Sequence, residues 1–224
     1  MIIKQLSVPK LKGILKEWVP SIVSSIAKQL KMVNKIKNVN LVVSIFNILK
    51  DICSTDKNLL ESHLSQLVPL FKEFIVDKKH ISTQQESLQL SLMIFNTHSN
   101  QFLSKYVEDF TSSALLALKS QNIQVISSSI SLLGNISKIL TENDFSSVEK
   151  ILNGILPFYE ATDVDQAIKE NSISSVSQII YHFGNKISNL DNLVSILIER
   201  IKNEVTRLSS IQALETITKS PQGK

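Results

Sequence analysis

The chain is poor in the residues that break or cross-link a fold. Its 224 residues include one cysteine, Cys53, which excludes an intrachain disulfide framework and suits a reducing compartment. Five glycines and five prolines are too few for a β-sandwich with its many turns, and suit long helices joined by short ones. No apolar run reaches the roughly 18 residues that a membrane-spanning helix needs. Met1 to Lys12 carries no sustained apolar core after Lys4, so no signal peptide is read there. A net charge of +4 does not by itself imply nucleic acid. The expectation is a soluble intracellular protein. With 43% hydrophobic residues, it can build one large domain or a continuous extended core.

Helical periodicity fills the space that these absences leave. Leu60, Leu64, Leu67, Phe71 and Phe74 fall on one helical face, and so do Ile126, Ile130, Leu133, Ile136 and Leu140. Leu193, Val194, Leu197, Ile198 and Ile201 form a broader stripe. Stripes of period 3.6 must be buried against another helix. The spacing predicts first helices over about 18–33, 59–76, 101–119, 144–159 and 189–202. Second helices are predicted over about 37–53, 82–97, 122–140, 164–183 and 204–219. Successive pairs start roughly 41–45 residues apart, inside the HEAT/armadillo period. The fold expected is therefore all-α, a HEAT-repeat α-solenoid of about five helical hairpins. It comprises a lead-in over 1–16, hairpins over about 17–57, 58–99, 100–142, 143–186 and 187–220, and a tail over 221–224.

The turns agree with this reading. Thr162, Asp163 and Asp165 precede the helix of Ile168, Val176, Ile179 and Ile180 as capping residues. Gly184 and Asn185 are expected to end it in a left-handed conformation. Pro20, Pro69 and Pro157 fall in or near first helices, where HEAT repeats commonly carry a kinking proline. The last two second helices share a pattern: Asp165, Ile168-Lys169, Ser172, Val176, and then Asn203, Thr206-Arg207, Ser210, Leu214. The acid or amide is expected to cap, the basic residue to reach a neighbouring repeat's turn, and the small residue to let helices approach. No polar capping helix follows Leu214 and Ile217, so the expectation is a segment of a longer array.

Little in the chain points to chemistry. His63, His80, His98 and His182 lack metal-ligand spacing and read as surface or helix-end residues. Cys53 lies on an apolar stripe and reads as a buried small hydrophobe. The isolated glycines build no phosphate cradle, and Ser127-Ser128-Ser129 has no nucleophile-elbow context. No catalytic residue, cofactor, metal or small-molecule substrate is expected. Lys4, Lys10, Lys12, Lys16, Lys28, Lys31, Lys35 and Lys37 make the first third basic. Only Trp18 could stack a base there, so a solvated helix face is the better reading and nucleic acid is not expected as a partner.

Two stretches carry a resemblance. Ala161-Thr162-Asp163-Val164-Asp165-Gln166-Ala167-Ile168-Lys169-Glu170 with Ile173-Ser174, and Leu197 through Leu208 (LIERIKNEVTRL), resemble the cullin-associated, neddylation-dissociated family of HEAT-repeat proteins. Val19-Pro20-Ser21-Ile22-Val23 with Lys28-Gln29-Leu30-Lys31 is similar to the same family. The likeness runs in order over about residues 17–221, with a small insertion around Lys31 to Lys37. It implies the central segment of a non-catalytic superhelix that wraps a cullin–RING complex lacking the ubiquitin-like modifier. Such proteins compete with adaptor and receptor modules and promote substrate-receptor exchange in ubiquitin-ligase assembly. A cytoplasmic and nuclear location goes with that. The family's two ends, which carry most of the grip, have no counterpart here. Candidate partner contacts are Asp163, Asp165, Lys169, Arg200, Lys202 and Arg207; of these Asp165, Lys169 and Arg207 could instead link repeats. Alternatives are a HEAT scaffold for nuclear transport or phosphatase assembly, or a basic nucleic-acid-associated HEAT protein.

Overall fold

Side-chain caps start several of the helices. Asn38 Oδ1 accepts from the Leu41 N–H at 3.1 Å. Asn122 Oδ1 accepts from Gln124 and Val125 at 3.0 and 3.1 Å, and Asp165 accepts from Ala167 at 2.8 Å. Each satisfies an amide that the first helical turn leaves without an intrahelical partner. The computed structural model describes residues 8–36, 38–56 and 59–221, without the side chains of 8–15 and 33–36.

Among the described residues every regular element is helical. First and second helices alternate: α1 Val8–Ile36, α2 Val39–Thr55, α3 Leu64–Ile75, α4 Ile81–Thr97, α5 Val107–Ala117, α6 Ile123–Ser137, α7 Phe145–Glu160, α8 Gln166–Phe183, α9 Leu190–Arg200 and α10 Arg207–Thr218. Single helical turns lead into α3, α5 and α7. The second helices begin at Val39, Ile81, Ile123, Gln166 and Arg207, in steps of 42, 42, 43 and 41 residues. That step is the HEAT/armadillo repeat, longer than the 34 residues of a TPR unit. The fold is the all-α, HEAT-type helical repeat that the periodicity predicts.

Two expectations are corrected. The first helix begins at Val8, not near 18. Pro9 falls in its first turn, where a missing N–H costs nothing, and Gly13 costs a helix only about 1 kcal/mol. Gly184 does not turn left-handed: its φ and ψ are −52° and −38°. The chain runs on through a 3₁₀ turn, Gly184–Lys186, closed by the Ile187 N–H on the Gly184 carbonyl at 3.3 Å.

The chain divides into two units, Met1–Leu103 and Ser104–Lys224. In the first, α1 packs on α2 and α3, and α4 packs on α2 and α3. Phe46 of α2 meets Phe71 and Phe74 of α3 with ring centroids 5.7 and 5.5 Å apart. Buried Gln84 and Ser87 of α4 donate to the Ile75 and Phe71 carbonyls of α3 at 2.7 and 3.0 Å. Lys50 of α2 pairs with Glu86 of α4.

In the second unit the same alternation holds, α5 on α7 and α6 on α8, with α10 on α8. The closest approach is α6 to α8. A Cβ at Gly134 would lie 2.8 Å from Ser175 Cβ and 3.1 Å from its Cα, so glycine is required there. Ser175 Oγ uses that proximity to donate to the Ile130 carbonyl at 3.0 Å. Pro20, Pro69 and Pro157 all lie inside first helices.

Candidate partner-binding surface

The six charged residues singled out from the sequence lie in the second unit, around the turns that join α7 to α8 and α9 to α10. The first turn leaves α7 at Ala161, whose ψ of 137° is extended, and enters α8 at Asp165. Asp165 caps α8, as its position predicts. Lys169, one turn into α8, bends back and its Nζ donates to the Thr162 carbonyl. Arg207 does the same one repeat later: its Nε donates to the Ile201 carbonyl at 3.0 Å. Both basic side chains therefore close their own hairpin's turn. The expectation that they reach a neighbouring repeat is corrected, because each finds a carbonyl that needs a donor in its own hairpin's turn, Thr162 for Lys169 and Ile201 for Arg207.

The inter-repeat link is made by Arg200 instead. Its guanidinium donates to the carbonyls of Tyr159 and Ala161, the latter at 3.2 Å, at the end of α7. It also lies over the Tyr159 ring, 5.2 Å from the centroid, a cation–π contact. Tyr159 is fully buried and its hydroxyl donates to the Leu193 carbonyl of α9 at 2.6 Å. Burial holds the Tyr159 phenol well above its ordinary value, Arg200 opposing and Glu160 adding. Burial likewise pulls Arg200 below its ordinary value, with Tyr159 opposing. Thr206 completes the knot, its hydroxyl donating to the Arg200 carbonyl at 2.9 Å. The structure thus employs Arg200 in holding α9 to α7.

Asp163 and Lys202 remain. Both are exposed, and neither makes a side-chain hydrogen bond or ion pair among the described residues. They are the two of the six whose charge is fully available to a partner. Sequence reasoning missed Tyr159, although its spacing of one repeat from Arg200 is a signal that could have found it. Asn38 and Asn122, each just ahead of a second helix, were also legible as caps.

Elsewhere, Cys53 is buried and lies 3.4 Å from the Thr97 hydroxyl. Burial raises its thiol above the ordinary value, with the Thr97 contact opposing. His63 and His80 stand at helix starts. His98 stands at a helix end, as expected, but is buried there: it closes α4, Nδ1 lies 3.1 Å from the Ile94 carbonyl, and Nε2 has no hydrogen-bond partner. Among the described residues no three His, Cys, Asp or Glu side chains converge on a common point, and no helix is long and apolar enough to cross a membrane. On α1, Lys16, Lys28 and Lys31 are exposed, and so is Trp18. Lys4 and Lys37, and the side chains of Lys10, Lys12 and Lys35, lie outside the described residues.

The comparisons with known proteins agree with the sequence resemblance. A family model described as "CAND1-like, TPR repeats" matches residues 72–176. Cullin-associated NEDD8-dissociated protein 1 of Arabidopsis thaliana is 27% identical over 219 residues, covering 94% of this chain and 18% of that protein. The protein of the same name from Dictyostelium discoideum is 29% identical, covering 97% and 18%. Cullin-associated NEDD8-dissociated protein 2 of Mus musculus is 23% identical, covering 93% and 17%. Among solved structures, an engineered protein matches with a TM-score of 0.63 at 14% identity, over 96% of this chain and 93% of its own, and speaks for the fold alone. The chain spans less than a fifth of the length of these curated relatives, and over that span it is similar to the cullin-associated NEDD8-dissociated proteins.

Proposed function

We propose that this chain is a non-catalytic scaffold segment that binds a cullin. The observation that carries the reading is that relatives matched over 93–97% of the chain are named for association with cullins and dissociation from NEDD8. A helical repeat suits the task, since consecutive turns present side chains at a regular step and many modest contacts sum over a long face. Asp163 and Lys202 offer opposite charges on successive turns. The cullin partner is a cullin–RING complex without its ubiquitin-like modifier, and the cellular setting is the cytoplasm and nucleus. The finer role, promotion of substrate-receptor exchange, follows if this footprint overlaps that of an adaptor, so that each weakens the other by the same coupling free energy.

The test is retention of purified unmodified cullin–RING complex on the immobilised chain, with the NEDD8-modified complex alongside. Preferential retention of the unmodified form supports the reading; no retention of either form, or equal retention of both, sinks it. Release of a preloaded adaptor–receptor module by the added chain then tests exchange.

A further inference from the structure

Between α8 and α10 runs a cleft of about 290 Å³. Its α8 wall carries Glu170, Asn171 and Ser174, and its α10 wall carries Leu208, Gln212 and Thr216. Glu170 and Asn171 stand four and three residues before Ser174, and Leu208, Gln212 and Thr216 recur every four, so each set lies along one face of its helix. The floor is closed, because Ala213 is buried where the two helices meet.

The polar groups of this cleft are only partly used. Thr216 donates to the Gln212 backbone carbonyl at 2.9 Å. Asn171 donates one amide proton to the Ser127 hydroxyl, which leaves its carbonyl oxygen open. Glu170 accepts from Gln166 through one carboxylate oxygen at 2.8 Å, leaving the other. Among the described residues the Ser174 hydroxyl and the Gln212 carboxamide make no side-chain hydrogen bond. The two walls thus hold carboxamides and a hydroxyl facing the same space. A carboxamide offers N–H donors beside a C=O acceptor, the complement of a peptide unit's own C=O and N–H.

Size narrows the occupant. From Leu208 to Thr216 the helix rises about 12 Å, the length of three to four residues of extended chain at about 3.3 Å each. Charge narrows it further. Glu170 is the only charged lining residue, and it stands at the N-terminal end of α8, with exposed Leu208 at the matching end of α10.

We propose that the α8–α10 cleft is a binding site for a short extended peptide segment, gripped through its backbone by Asn171 and Gln212, with a basic side chain of the peptide paired to Glu170. The segment is three or four residues long and carries small side chains elsewhere. This is a backbone-reading mode in which the carboxamides supply affinity and one carboxylate supplies selectivity.

The test titrates the isotopically labelled chain with the blocked peptide acetyl-Gly-Ser-Lys-Ser-Gly-amide, followed by NMR. The expected result is shifts confined to the backbone amides of 170–177 and 208–216 and the Gln212 side-chain amide. Gln212→Ala, at an exposed position, should weaken binding at least fivefold with unchanged melting. The same probe with glutamate in place of lysine should bind at least fivefold more weakly, and Glu170→Gln should abolish that difference. Absence of shifts, shifts elsewhere, indifference to Gln212→Ala, or equal binding of the two probes would each overturn the proposal. Concentration-dependent shifts of the same resonances without peptide would overturn it too, assigning the cleft to a second copy of the chain.

Discussion

The fourth and fifth hairpins carry the same residue pattern in different surroundings. Aligned on Ser172 and Ser210, Ile173, Val176 and Ile179 of α8 correspond to Ile211, Leu214 and Ile217 of α10. The first three are fully buried, whereas Ile211 is 48% exposed and the other two are half-buried. The difference lies in neighbours: α8 is flanked by α6 and α10, while α10 rests on α8 and α9. Even the shared serine differs. Ser172 donates to the Lys169 carbonyl at 2.8 Å, but the buried Ser210 hydroxyl finds no partner. In a stacked repeat, then, burial and hydrogen-bond satisfaction belong to the position in the stack as much as to the residue.

The sharpest way to break this comparison is to truncate matched isoleucines. Ile173→Ala should cost about 2–5 kcal/mol in urea unfolding, the usual loss for a buried isoleucine. Ile211→Ala should cost under about 1 kcal/mol; equal losses would mean that the two hairpins are not distinguished by their neighbours.

Cutting the link between the hairpins comes next. Arg200→Ala should cost about 1–2 kcal/mol, and Tyr159→Phe about 0.5–1.5 kcal/mol. A double-mutant cycle should return a coupling of about 0.5 kcal/mol or more, and strict additivity would show that the two side chains act separately. The serines give a smaller but opposite pair of effects. Ser172→Ala should destabilise by about 1 kcal/mol, whereas Ser210→Ala should be neutral or slightly stabilising because it removes a buried group with no partner.

The least effect is one of pH. His182 of α8 is held below its ordinary value by burial, with Lys138 adding; Ser220 takes its place in the fifth hairpin. Since the folded chain favours neutral imidazole, the unfolded chain binds the proton more readily. Stability present above about pH 6.5 is therefore lost as pH falls through that value. His98, lowered chiefly by burial with the Ile94 contact and Glu61 opposing, acts in the same direction from the first unit. His182→Gln should flatten the dependence between pH 7 and 5, leaving the part due to His98 and to His63, which burial also lowers.

The fold was legible because its signal is redundant: apolar stripes of period 3.6 recur along the chain, and among the described residues every second helix begins 41 to 43 residues after the last. The candidate contacts were less so. Asp165 could be recognised as a cap from its place ahead of an apolar stripe. Whether Lys169, Arg200 and Arg207 meet a partner or their own backbone depends on where carbonyls lie in space, which spacing along the chain does not encode. The same limit hid the burial of His98, since a polar residue at a helix end is ordinarily solvated. The early start of α1 was not predicted, although Pro9 and Gly13 are harmless in their positions.

The links between hairpins described above reach from 34 residues, Tyr159 to Leu193, to 45, Ile130 to Ser175. Nothing in that set waits for the far end of the polypeptide. During synthesis at about 5–20 residues per second, each hairpin would have its side-chain partner out of the ribosome within roughly 2–9 s. Each unit can therefore be completed in instalments as it is translated, each new pair of helices within it settling on the one before.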